Sequence, residues 1–437
     1  TITVASTATL ADKAGEQGTL VKAGAGELIF SGNNTYTGDT TVLGGTLTLN
    51  SGQGLSDTGA VTLSNTSGVT LKVNASETIG SLRGGGTTGG NITLAEGQNL
   101  TIVQTGAGGL VKSGTGKLAL TKNNNSFVGG VTIEGGILTS DYGSISSANT
   151  IVVNSGGTLG MLRTDTWGGA TATSTIPVII NDGGNMTSDN QFNTLRDLTL
   201  NGGTVSLNGG LASTLSAFAF GGTVTAGGAV TSTIAVVSGT NNNIRLGRQA
   251  TNEPTTFDVS DPNGQLLVGA ALWDNFGSIS GLTKSGNGKM VLSAANAYTG
   301  PTAVTGGTLQ IGNGGTMGSI LVNSALSVSN GATLAFNRTD NYGGALNHTI
   351  SGAGTVAING GNLTLNAGGS SGYSTNLGFV INNGATATMG HSDMFGGTGW
   401  DATTSPGFTV NAGGTLASSN NFNTLWNLNL NGGTLLA

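Results

Sequence analysis

The chain of 437 residues has 14 Lys plus Arg against 20 Asp plus Glu, a net charge of −6, no cysteine, and charged residues at 8%, about a third of the ~25% usual in a globular domain. A nucleic-acid partner is excluded by the lack of a concentrated basic face, disulfides by the missing cysteines, and a membrane-spanning helix by the absence of any run of ~18 apolar residues. The 80 glycines and 36% hydrophobic residues, only 5% of the chain being aromatic, suit stacked small layers.

In chain order, TITVASTATL comes first and lacks the basic region and continuous apolar core of a signal peptide, so any export signal is expected to have been removed or to lie outside the sequence. The phrase GTLVKAGAGELIFSGNNTYTGDTTVLGGTLTL follows at 18–49, with copies at 108–139 and 281–311. Each copy reads as short strands cut by glycine or asparagine turns: LVK, a GxG turn, a second apolar strand, a polar corner, then TxV, GG and TLxL. None of them reads as a helix. The corners at 33–38, 123–129 and 296–300 are predicted turns, with Tyr36, Phe127 and Tyr298 covering one side of the core.

Past the second copy, a minor signal of a glycine pair and then an apolar residue recurs: GGIL at 135, GGTL at 156, GGNM at 183, GGTV at 202 and GGTV at 221. A second series runs from GGTL at 306 through GATL at 331, GGNL at 360, GATA at 384 and GGTL at 413 to GGTL at 432. Spacing of this order is one turn of a coil. A strand of three to five residues cannot bury its own faces. Similar strands piled ~4.8 Å apart share an inner aliphatic column and satisfy one another's backbone groups. The expected fold is therefore all-β, a parallel β-solenoid forming a single elongated rod over 1–437, with repeat modules at roughly 18–107, 108–280 and 281–437. The last unit stops in mid-rung at Leu436 and Ala437, so a piece of a longer chain is expected.

The pattern carried by Gly18, Leu20, Lys22, Gly24, Gly26, Leu28, Asn34, Tyr36, Gly38, Val42 and Gly45, and by Lys284, Gly286, Gly288, Tyr298, Gly300 and Gly307, resembles the passenger-associated transport repeat, or autotransporter-associated β-strand repeat, of Gram-negative surface proteins. Copy two departs from it at Phe127 and Val131. The resemblance implies a right-handed parallel β-helix, displayed on or released from a Gram-negative-type cell, in which the repeat assists secretion and stem formation.

Catalytic signals are sparse. The two histidines are His348 and His391. His391 stands two residues before Asp393 in HSDMFGG, whose counterparts are RTDTWGG at 163 and RTDNYGG at 338; a cation two residues before an acid at each copy reads as a structural pair. Ser370 in GGSSG lacks the following helix of a nucleophile elbow, and the glycines at 84, 86 and 89 match GxGxxG in a glycine-rich context. Asp182, Asp189 and Asp197 have Ala412, Asn420 and Asn427 in the matching repeat at 406–437, which argues against a catalytic carboxylate set. The aromatic residues before Gly-Gly, Trp167, Tyr342 and Phe395, are candidates for a carbohydrate-stacking stripe, with core or corner packing as the other reading.

Three functions remain open. The first is a noncatalytic adhesin stalk or passenger domain contacting a host or neighbouring-cell surface, glycan or matrix. The second is a segment of an extracellular filament or matrix joined end to end, since bare coil ends expose unpaired strand edges. The third is a polysaccharide lyase or hydrolase built on a β-helix. No cofactor or metal is expected.

Overall fold

A computed structural model describes residues 1–437 apart from 65, 85–88, 96–97, 99, 103–109, 113–116, 121–129, 142–144, 146–147, 167–175, 212–215, 249–250, 322–324, 343–344, 368–371, 375, 393, 396–404, 420–422 and 437. Among the described residues every regular element is a strand. Among the described residues no helix is long and apolar enough to cross a membrane. The described ladders between strands are parallel, and antiparallel pairing is confined to isolated bridges such as Lys13 with Glu16. The protein is a β-solenoid. Strands mostly of three to five residues alternate buried and half-exposed positions, as a pleated strand with one face in a core must.

The chain forms two compact units: Thr1–Thr199 with Gly203–Ala217 and Val237–Asn241, and Leu200–Gly202 with Phe218–Val236 and Asn242–Ala437. In the first, Leu28, Leu47, Leu71 and Ile92 lie in register, as do Phe30, Leu49 and Val73. The glycine-pair series is a true ladder here, because Leu138 pairs with Leu159, Leu159 with Met186, and Met186 with Val205. The fifth member of that series departs: Val224, from GGTV at 221, lies in the second unit and pairs with Phe257 in a sheet that also holds Leu282–Ser285.

In the second unit the later series splits between two ladders. Leu309 pairs with Leu334, but Leu334 pairs with Val356 and not with Leu363. Leu363 opens another ladder with Ala387 and Leu416, and Leu416 pairs with Leu435. Both ladders pass through one long strand, Thr355–Leu365, which turns at Gly361 with φ +68°. Only glycine takes that conformation without steric cost, so a glycine pair here marks a corner inside a strand instead of the start of a coil. Stacked amides run beside it: Asn382 donates to Asn359, Asn411 to Asn382 and Asn431 to Asn411, at 2.7, 2.8 and 3.2 Å.

Candidate functional site

Tyr36 and Tyr298 fill the core at their corners, as the repeat pattern predicts, and each phenol bonds the hydroxyl four residues on, Thr40 or Thr302, at 2.7 Å. Burial pushes both phenols above their ordinary range. Phe127, their counterpart in copy two, lies outside the described residues.

The repeat lysine sits in the inner column itself. Lys22 pairs with Val42, Lys112 with Ile133 and Lys284 with Val304, and the three are 7%, 5% and 0% exposed. A buried ammonium must be solvated by the protein. Lys22 Nζ donates to the carbonyls of Ala23, Gly24 and Gly44 at 3.0, 2.8 and 2.7 Å. Lys284 Nζ repeats the arrangement on Ser285, Gly286 and Gly306 at 2.5, 2.9 and 3.2 Å, and Lys112 reaches Gly135 at 2.9 Å. The lysine thus ties the corner of its own coil to the glycine pair of the next. Burial pulls Lys112 and Lys284 down to about 8.

Those glycine pairs need to be glycine. Gly45 and Gly307 have φ of +65° and +57°, and a Cβ would fall within 3.0 Å of the Gly26 and Gly288 carbonyl oxygens respectively. Bare backbone lets one coil settle on the one beneath it.

A second tie lies outside the phrase. Asp12 accepts from Gly18 N, Thr37 N and Thr37 Oγ1 at 2.7, 2.9 and 2.6 Å. At the same offset from Lys284, Asp274 accepts from Ser280 N, Thr299 N and Thr299 Oγ1 at 2.9, 3.0 and 2.6 Å. The Thr37 hydroxyl, then the amides of Gly18 and Thr37, hold the Asp12 carboxyl below its ordinary range. Asparagines complete the clip: Asn34 accepts from Leu10 N and donates to Gly54 O, while Asn296 accepts from Leu272 N and donates to Ser319 O. The equal distances from aspartate to lysine were visible in the sequence. Copy two has Ile102 at that position.

Of the candidate stripe, Trp167 lies outside the described residues. Tyr342 is 9% exposed and Phe395 1%. Phe395 belongs to an aromatic cluster, its centroid 5.3, 5.4 and 4.7 Å from those of Tyr373, Phe379 and Phe408. Both rings are buried. The cation-acid pair is formed at Arg338, whose Nε and Nη2 meet Asp340 at 2.8 Å each. Arg163 instead reaches Asp141 at 3.2 Å, and Asp393 and Ser370 lie outside the described residues. Asp189 is committed to Met161 N, Thr187 Oγ1 and Asn208 Nδ2, so it braces a corner, while Asp182 and Asp197 are exposed.

Two surface features were not legible beforehand. An open groove of about 240 Å³ runs along Asn34, Tyr36, Gln53, Ser56 and Asp57. Trp273, 36% exposed, pairs in register with Arg245, whose guanidinium lies 5.5 Å from the Trp273 centroid and 4.5 Å from that of Phe276.

Residues 20–49, 110–139 and 282–311 match the family described as Passenger-associated-transport-repeat, the same three segments whose lysines and glycines form the ties above. The chain carries three passenger-associated-transport repeats. It is also 30% identical over 464 aligned positions to the adhesin BmaC autotransporter of Brucella suis biovar 1 (strain 1330), an alignment that takes in 80% of this chain and 13% of that protein. No solved structure matches the chain. The transport repeat as matched begins after Asp12 and Asp274, so the aspartate tie extends each full copy upstream of the recognised segment.

Proposed function

We propose that this chain is an adhesin-like, noncatalytic passenger segment of a bacterial surface or secreted protein, held outside a Gram-negative-type cell, with the polar outer faces of its coils as the contact surface. The observation that carries the reading is the 30% identity to an autotransporter adhesin across 80% of the chain, in a parallel solenoid bearing three transport repeats. The side-chain chemistry supports it: Asp12, Asp189 and Asp274 spend their oxygens on backbone amides and neighbouring hydroxyls or amides, which is the work of a scaffold. Partners of the class expected are a host or neighbouring-cell surface, a glycan or a matrix protein.

Beads coated with the purified chain, applied to cultured cells and to immobilised matrix, test the proposal. Saturable retention that the soluble chain competes away is expected. Retention no greater than that of albumin-coated beads, together with release of reducing or unsaturated sugars from a polysaccharide panel, would replace adhesion with glycan cleavage.

A further inference from the structure

In the second unit Tyr342 and His348 lie, in chain order, between the strand Thr333–Arg338 of one sheet and the strand Ile350–Gly352 of another. Their two rings grip the preceding coil. Tyr342 Oη accepts from Ile320 N at 2.7 Å and donates to Ile320 O at 3.4 Å, and His348 Nε2 lies 2.8 Å from Leu321 O. The rings meet edge to face, 6.3 Å apart at 82°. One short backbone segment is therefore held by two side chains that also hold each other.

His348 is 1% exposed. Leu321 O can only accept, so the imidazole hydrogen is assigned to Nε2, which leaves Nδ1 as a bare lone pair. Among the described residues Nδ1 is buried and has no hydrogen-bond partner. The charged groups around the pair offer no relief. Arg338 places its guanidinium 5.1 Å from the Tyr342 centroid and donates to Gly318 O, and both Asp340 oxygens are taken by Arg338. The Tyr342 phenol is pushed up to about 12 by burial and stays neutral. Phe336 packs edge-on against Tyr342, and the following coil brings the neutral Asn366 to Asn347 and Tyr373 to Ile350.

We propose that His348 is an acid-sensitive latch on this coil: a proton on Nδ1 adds a charge and a donor for which the described residues supply no bonded acceptor, and the Tyr342–His348 pair then lets go of Ile320–Leu321. Burial holds the imidazole below its ordinary range, consistent with this. The sign follows from linkage. The released ring titrates near 6.5 and the latched ring lower, so the released form binds more protons below 6.5. The latch is fully closed above that pH and loosens as the pH falls through the window beneath it. The aliphatic column of Leu334 and Val356 carries no titrating group, so the opening is local.

Hydrogen exchange at the Ile320 amide, corrected for the intrinsic rate, reads the latch directly because that amide donates to Tyr342. Its protection should be flat from pH 8 to 7 and fall several-fold by pH 5, with the Leu334 amide unchanged. His348→Gln keeps a donor for Leu321 O and cannot titrate, so its Ile320 protection should be flat with pH. Unchanged wild-type protection at pH 5, or an acid loss that persists in His348→Gln, overturns the proposal. Should the variant lose Leu334 protection at pH 7 and so prove misfolded, NMR titration of wild-type His348, one of only two histidines, decides: a midpoint at or above the free-imidazole value refutes it.

Discussion

Replacing Lys284 by methionine keeps the aliphatic stem in the inner column and removes the ammonium from three carbonyls. Two opposing magnitudes set the outcome. Bringing the pKa from 10.5 to about 8 corresponds to a burial cost of about 3 kcal/mol at ~1.4 kcal/mol per unit. Against it stand three hydrogen bonds from a charged donor, each contributing about 1.5–3 kcal/mol, and the variant leaves the carbonyls of Ser285, Gly286 and Gly306 without that donor. The attraction exceeds the cost, and a net loss of about 3 kcal/mol is expected, in line with removing one partner of a buried charged contact. A stacked array does not unfold as one unit, so the loss should be read locally. The amides of Thr305 and Thr308, which bond to Lys284 O and Gly288 O, should lose roughly a hundredfold in exchange protection. Lys13→Met is the control: that side chain is 79% exposed, and its removal should change stability by less than about 0.5 kcal/mol. If Lys284→Met protects Thr305 as well as wild type does, the lysine is not a tie between coils.

Gly307→Ala should cost more than about 3 kcal/mol of local stability, read by hydrogen exchange at the Thr308 amide, because the added carbon strikes the Gly286 and Gly288 carbonyls. Gly331→Ala, at φ +77° with open space around the Cβ position, should cost only the ~1–2 kcal/mol of the left-handed backbone; equal costs at the two sites would remove the close-approach argument. Glu77 is buried, and desolvation raises its carboxyl from 4.5 to about 7 even though Gly54 N donates to it at 2.7 Å. The folded chain therefore binds more protons between those values, and local stability around Glu77–Ile79 should fall as pH rises from 4.5 to 7 and level off above. Glu77→Gln should be close to wild type at pH 4 and more stable at pH 8 by hydrogen exchange at the Gly80 amide, corrected for the intrinsic rate; a variant less stable than wild type at pH 8 would show the carboxylate to be favourable there.

Much of this was legible because a coil repeats its own grammar. Leu28 and Leu47, or Leu138 and Leu159, are recognisable as one inner column from spacing alone, and the tyrosines of the corners follow from their fixed place before glycine. The glycine-pair rule failed at 221 and 360 for one physical reason: at both places the pair lies inside a strand that passes from one pairing partner to another. Gly361 bends a continuous strand, so the leucine after it enters a different ladder. The lysine was visible as a pattern letter but not as a core residue, since hydropathy places a cation outside and only the coordinates bring three carbonyls to it. Asp12 and Asp274 fell beyond the obvious phrase. The aromatic positions show the converse limit: spacing before Gly-Gly marks Tyr342 and Phe395 as equivalent, while their burial is visible only in the fold.

Parallel, in-register stacking is the claim on which the rest depends, and pairwise thiol cross-linking tests it most directly because the chain has no native cysteine. Thr386 pairs with Thr415 and Thr388 with Ala417, all at half-exposed positions. Cysteine pairs at 386 and 415, and at 388 and 417, should be joined rapidly by a short bis-maleimide, and the crossed pairs 386 with 417 and 388 with 415 slowly. Faster linking of the crossed pairs would mean antiparallel strands and would contradict the solenoid.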